Sequence, residues 1–96
     1  MMLTIEMSMY PFRENHRPVI GAFIDQLNTY TDLKITTTHT ATMVVGELQA
    51  VMKMLTDMLE WSSRTQGRAV FVTKFIPDYS PDESKPAHTP ASQRSA

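Results

Sequence analysis

Alternation governs the first stretch of the chain. From Leu3 to Phe12, Leu3, Ile5, Met7 and Met9 fall on one side of an extended strand, and Thr4, Glu6, Ser8 and Tyr10 fall on the other. Pro11 ends this strand or confines it to an edge. A polar loop, Arg13-Glu14-Asn15-His16-Arg17, follows, and Pro18 suits the first turn of a helix. Ile20, Phe23, Ile24 and Leu27 then recur at helical spacing, which predicts a helix over 18–29. Leu33 to Thr38 reads as a second strand, because its threonines fit a pleated surface better than a helix. The chain turns back near His39-Thr40, and Thr42 to Val45 forms a third strand that stops at Gly46. The spacing then changes again. Leu48, Val51, Met52, Leu55, Met58 and Leu59 make an apolar stripe, with Glu47, Lys53, Asp57 and Glu60 off it. A helix over 47–63 is predicted, and Gly67 is its stop signal. Arg68 to Ile76 alternates as a fourth strand.

The order β-α-β-β-α-β predicts an α+β fold, the ferredoxin-like sandwich: a four-stranded antiparallel sheet with two helices on one face. Ile24, Leu27, Val51, Met52 and Leu55 are the expected core between the layers. The other sheet face then needs an occupant. Val70, Val72 and Ile76, or Phe71 and Phe75, do not read as a plain solvated surface, so association with another copy is expected, as a homodimer or homotetramer.

Composition narrows the class. Ninety-six residues, 42% of them hydrophobic, support one domain, here 1–77. Residues 78–96 carry prolines and almost no large apolar side chain, so a flexible C-terminal tail is expected. A net charge of −1 gives no broad pull toward nucleic acid or anionic lipid. With no cysteine there is neither a disulfide nor a thiolate site. No signal-peptide pattern opens the chain and no apolar run approaches membrane-spanning length. A soluble, cytoplasmic protein is the expectation.

Three groups of residues carry possible chemistry. Glu6, Ser8 and Tyr10 share one face of the first strand, where a carboxylate, a hydroxyl and a ring can hold a small cationic heterocycle. An ordinary solvent-facing strand would look the same. Thr36, Thr37, Thr38, Thr40 and Thr42 gather hydroxyls around one hairpin, which can read the edge of a heteroaromatic ring. Strand propensity and turn chemistry alone also place threonine there. Gly46-Glu47 opens the second helix, but one glycine with no adjacent lysine does not make a phosphate loop, and Glu47 itself complements the helix dipole. His16, His39 and His88 have no metal-ligand spacing. Gly67 to Phe75 faintly echoes an RNA-recognition strand, on the wrong strand for that fold. MYPFREN after the first strand is not the phosphate loop of an acylphosphatase.

Three pieces taken together resemble a known family: Ile5-Glu6-Met7-Ser8-Met9-Tyr10-Pro11, Pro18-Val19-Ile20, and Thr42-Met43-Val44-Val45-Gly46-Glu47 with the helix after it. The chain is similar to the YkoF-like and MTH1187-like proteins, a family of thiamine-binding or hydroxymethylpyrimidine-binding domains. The likeness spans about residues 2 to 77 in order and spacing. It implies a ferredoxin-like domain that pairs into dimers and tetramers. It also implies a small-ligand site at the sheet and its subunit contacts. The expectation is a non-enzymatic binder of thiamine or hydroxymethylpyrimidine with no other cofactor, the alternative being a structural or regulatory oligomer whose sheet face serves only assembly. Glu6, Ser8, Tyr10, Thr38, Thr42 and Glu47 are the candidate ligand-binding residues. Some members of that family hold two such domains in one chain, whereas a single copy is present here, so a site built between domains there would form between subunits here.

Overall fold

The computed structural model describes residues 1–81. Its elements are β1 (Met2–Pro11), α1 (Arg17–Leu27), β2 (Lys34–Thr37), β3 (Thr42–Glu47), α2 (Leu48–Gln66) and β4 (Ala69–Pro77). The four strands form one antiparallel sheet in the order β2-β3-β1-β4. Both helices pack on one face, so the architecture is the ferredoxin-like α+β sandwich. No helix among the described residues is long and apolar enough to cross a membrane.

β1 is central because its alternation serves two neighbours. Leu3, Ile5 and Met7 point to the helices and are buried, against Val44 from β3 and Leu27, Val51, Met54 and Met58 from the helices. Full burial of such a side chain contributes about 1.5–3 kcal/mol each. Phe71 of β4 packs on Phe23 of α1 with ring centroids 5.3 Å apart, which closes the core on that side.

Helix ends are set by local chemistry. Pro18 lies in the first turn of α1, and Asn28 closes its last turn, donating from both its backbone N–H and its side-chain amide to the Ile24 carbonyl. α2 starts where β3 stops: the Leu48 N–H donates to the Met1 carbonyl oxygen at 2.9 Å, so the edge of β1 satisfies one helix donor. Gly67 ends α2 with φ 87°, a region that favours glycine.

Gly46 has a different role. An added Cβ there would meet Leu33 Cδ2 at 2.5 Å and Val51 Cγ2 at 3.3 Å. The strand-to-helix junction therefore uses glycine for close approach of the backbone to two core side chains.

Expectations about the burial of four residues are corrected. Met52 is 40% exposed and Leu59 38%, while Met54 is fully buried. Helical residues advance by about 100°, so Val51, Met54, Leu55, Met58 and Ser62 share the inward stripe and Met52 sits a quarter-turn off it. Ile24 is only half-buried, and Thr4, on the face opposite the helices, is buried. The Thr4 hydroxyl donates to the Tyr79 carbonyl at 2.8 Å, and the Asp78 N–H donates to the Met2 carbonyl at 2.8 Å. The expected tail thus begins bonded to β1. Residues 82–96 of it lie outside the described residues.

Candidate functional site

β1 is longer than β3. Their pairing ends at Met7 opposite Thr42, while β1 continues to Pro11 with β4 as its only paired neighbour. The Met1 carbonyl bonds toward α2 and the β3 side, and the Met2 carbonyl bonds toward the end of β4. Strand alternation then directs the Met9 N–H and C=O, like those of Met1, to the β3 side. There they meet no strand. They face instead a cleft of about 410 Å³ between α1 and the tip of the β2–β3 hairpin.

The cleft has an apolar wall and a polar wall. Ile20, Phe23 and Ile24 of α1 and Met7 of β1 form the first; residues 37–42 of the hairpin form the second. Ser8, Tyr10 and Pro11 continue the lining along β1, and His16 and His39 complete it from α1's N-cap and from the hairpin.

Hydrogen bonds fix the hairpin wall. The Thr38 N–H donates to the Ala41 carbonyl at 2.9 Å. The Thr38 hydroxyl donates to that same carbonyl at 3.1 Å and accepts from the Ala41 N–H at 3.3 Å. That side chain is therefore largely occupied in closing the turn. Ser8 Oγ donates to the Thr40 carbonyl at 2.9 Å, tying β1 to the hairpin across the gap. Thr37 and Thr42 hydroxyls lie 3.4 Å apart, and whichever donates, the other keeps a proton for a third group. The cleft can thus offer a hydroxyl donor, hydroxyl lone pairs, and one main-chain N–H beside its C=O.

Four of the six candidate ligand-binding residues, Ser8, Tyr10, Thr38 and Thr42, line this one cleft. The two carboxylates do not. Glu47 takes the Met1 amino group at 3.0 Å, near the opposite end of β1. Glu6 lies on the sheet face away from the helices, with the Lys74 ammonium at 3.8 Å. Every lining residue is therefore neutral or an imidazole. Among the described residues no group of three or more histidine, aspartate and glutamate side chains is placed to hold a metal ion.

The site residues that sequence reasoning missed are the Met9 main chain, Ile20, Phe23 and Ile24 of α1, and His16 and His39. The α1 residues stood out only as a helix's apolar stripe, and Met9 left a signal of its own. A strand predicted over 3–12 beside one predicted over 42–45 must leave backbone unpaired. Nothing local links His16 to His39, since the topology alone brings their loops together.

No protein-family model matches the chain, and no curated protein matches it in sequence. Solved structures do share its shape. A "putative thiamine biosynthesis/salvage protein" from Thermotoga maritima superposes with a TM-score of 0.71 at 21% identity, covering 83% of this chain and 85% of its own. A hypothetical protein from Methanocaldococcus jannaschii gives 0.66 at 20%, covering 97% and 91%. A domain of unknown function from Bacillus cereus gives 0.66 at 14%, covering 83% and 77%. At these identities the likeness establishes the fold, and the fold they share with this chain is the ferredoxin-like α+β sandwich.

Proposed function

We propose that this protein belongs with the YkoF-like proteins and binds thiamine or its hydroxymethylpyrimidine moiety without transforming it. The observation that carries the reading is the meeting of Ser8, Tyr10, Thr38 and Thr42 in one cleft. A flat ring between α1 and the hairpin lies against Ile20, Phe23 and Ile24, with its edge toward the Met9 main chain. An aminopyrimidine presents a ring nitrogen acceptor beside an amino donor, which complements an adjacent N–H and C=O. Thr42 and Thr37 supply a further donor, and the Tyr10 ring flanks the entrance. The Thermotoga neighbour's thiamine biosynthesis/salvage description supports the same ligand class.

Calorimetric titration of the wild type and of Thr42→Val tests the reading. A dissociation constant on the order of micromolar, about −8 kcal/mol, is expected for one compound or both, and a weaker one in the variant. No saturation by either compound below about millimolar, roughly −4 kcal/mol, overturns it. Equal affinity in Thr42→Val keeps the ligand and removes Thr42 from the site.

Assembly is the second reading, favoured by the sheet face away from the helices. Val70, Val72 and Ile76 of β4 are 45%, 54% and 43% exposed there. A closed dimer or a dimer of dimers covers them. Sedimentation at micromolar concentration that gives only a monomer excludes it.

A further inference from the structure

Ser62 breaks the inward stripe of α2. Val51, Met54, Leu55 and Met58 are its apolar members, and Ser62 takes the next inward position at 1% exposure. The Ser62 hydroxyl has no hydrogen-bond partner among the described residues. Gln66, one turn on, does not supply one: its Nε2 donates to the Val19 carbonyl at 2.9 Å, and its own Oε1 meets no donor. A buried hydroxyl left this way costs stability, and alanine would fill the position without that cost. Ser62 lines a second cavity, of about 410 Å³, where α2 ends and β4 begins. Leu59 and Phe71 give this cavity an apolar side, and Ser63 and Arg68 join Ser62 on the polar one. The neighbouring arginines are engaged, Arg64 by Glu60 at 3.1 Å and Arg13 by the Gln66 carbonyl at 2.9 Å. Arg68 makes no ion pair and no side-chain hydrogen bond with any described residue.

We propose that this cavity is a second binding site, separate from the α1–hairpin cleft, for a small carboxylate with an apolar body. A guanidinium only donates and stays charged at every accessible pH, and each serine hydroxyl has a proton to give. A carboxylate is acceptor-only, so one oxygen takes the Ser62 proton and the other meets Arg68. The body lies against Leu59 and Phe71. The hydroxyl lone pairs gain nothing from a carboxylate. A neutral amide of the same shape would serve those lone pairs and bring no charge to Arg68, which makes it the decisive comparison. The site does not rest on the ligand class proposed for the cleft. Phe23 lines the cleft and Phe71 lines this cavity, so the two lie back to back across rings 5.3 Å apart.

Benzoate, benzamide and inorganic phosphate are titrated separately into the full chain, and amide chemical shifts are followed. Benzoate is expected to give saturable shifts at Leu59, Ser62, Ser63 and residues 67–71, with a dissociation constant on the order of millimolar. Benzamide and phosphate are expected to bind about tenfold more weakly. Ser62→Ala and Arg68→Gln are each expected to weaken benzoate about tenfold. Ser62→Ala should leave the urea midpoint no lower than that of the wild type, because the lost hydroxyl had no partner in the protein. Benzamide as tight as benzoate overturns the carboxylate, and phosphate as tight as benzoate overturns the apolar body. No saturable shift at about 50 millimolar benzoate, or shifts centred elsewhere, overturns the site. So does unchanged benzoate affinity in Ser62→Ala. A lowered urea midpoint in that variant gives the hydroxyl a structural role and overturns the proposal as well.

Discussion

Ser8 Oγ donates to the Thr40 carbonyl at 2.9 Å, and this one contact joins β1 to the hairpin across the gap where β3 has ended. It ties the β1 side of the cleft to its hairpin wall. Ser8→Ala removes it at a partly exposed position, so a loss of about 0.5–1.5 kcal/mol in unfolding free energy is expected. Native-state hydrogen exchange supplies the sharper check. The amides of Thr40 and Ala41 should exchange faster in the variant while those of α2 keep their protection.

Met54 and Met52 separate the two possible registers of α2. Met54 is fully buried and Met52 is 40% exposed. Met54→Ala is expected to cost about 2–5 kcal/mol and Met52→Ala about 0.5 kcal/mol or less. Urea denaturation of the two variants measures both. Equal losses would contradict the inward stripe.

The difference shows what was legible in the sequence and what was not. Periodicity located α2 and its stop at Gly67, but consecutive methionines flanking Lys53 make two overlapping stripes, and only packing against β1 chooses between them. Element order was legible because the first and last strands alternate, the threonine-rich run between them suits a sheet, and both helices show helical spacing. The cleft was half legible. Ser8, Tyr10, Thr38 and Thr42 stood out by residue type, and the topology unites them. Glu6 and Glu47 stood out for the same reason, yet Lys74 and the Met1 amine occupy them. Which partner a carboxylate meets depends on strand register, and a linear pattern does not contain it. Thr4 reads as a solvent-facing residue until residues 78 and 79 are seen bonded to β1.

Gly46 bears on the junction between β3 and α2. Gly46→Ala places a Cβ 2.5 Å from a Leu33 methyl and 3.3 Å from a Val51 methyl. Both neighbours are buried, so a loss of about 1–3 kcal/mol is expected from overpacking. The companion variant Gly46→Ala/Leu33→Ala gives the methyl room to fit, and a double-mutant cycle should show favourable coupling between the two sites.

Stability should decline on the alkaline side. Burial, then the Asp57 carboxylate, raises the Tyr30 hydroxyl above its ordinary value of 10.0. A hydrogen bond from the Lys53 ammonium to Asp57 at 2.9 Å raises Lys53 above its ordinary 10.5. In both cases the folded chain keeps a proton that the unfolded chain releases first. The contribution is therefore present below the unfolded values and lost as pH rises through the raised folded ones. Denaturation midpoints followed from about pH 8 to about pH 11 should fall, and Tyr30→Phe with Lys53→Met should flatten that fall.

Amide chemical shifts followed during titration with hydroxymethylpyrimidine test the central claim most directly, since they report binding and its place together. The account predicts saturable shifts concentrated at Ser8, Met9, Tyr10 and residues 37–42, with Glu47 and the α2 amides unmoved. Shifts centred on the opposite sheet face at Val70, Val72 and Lys74, or none at all at millimolar ligand, would contradict it.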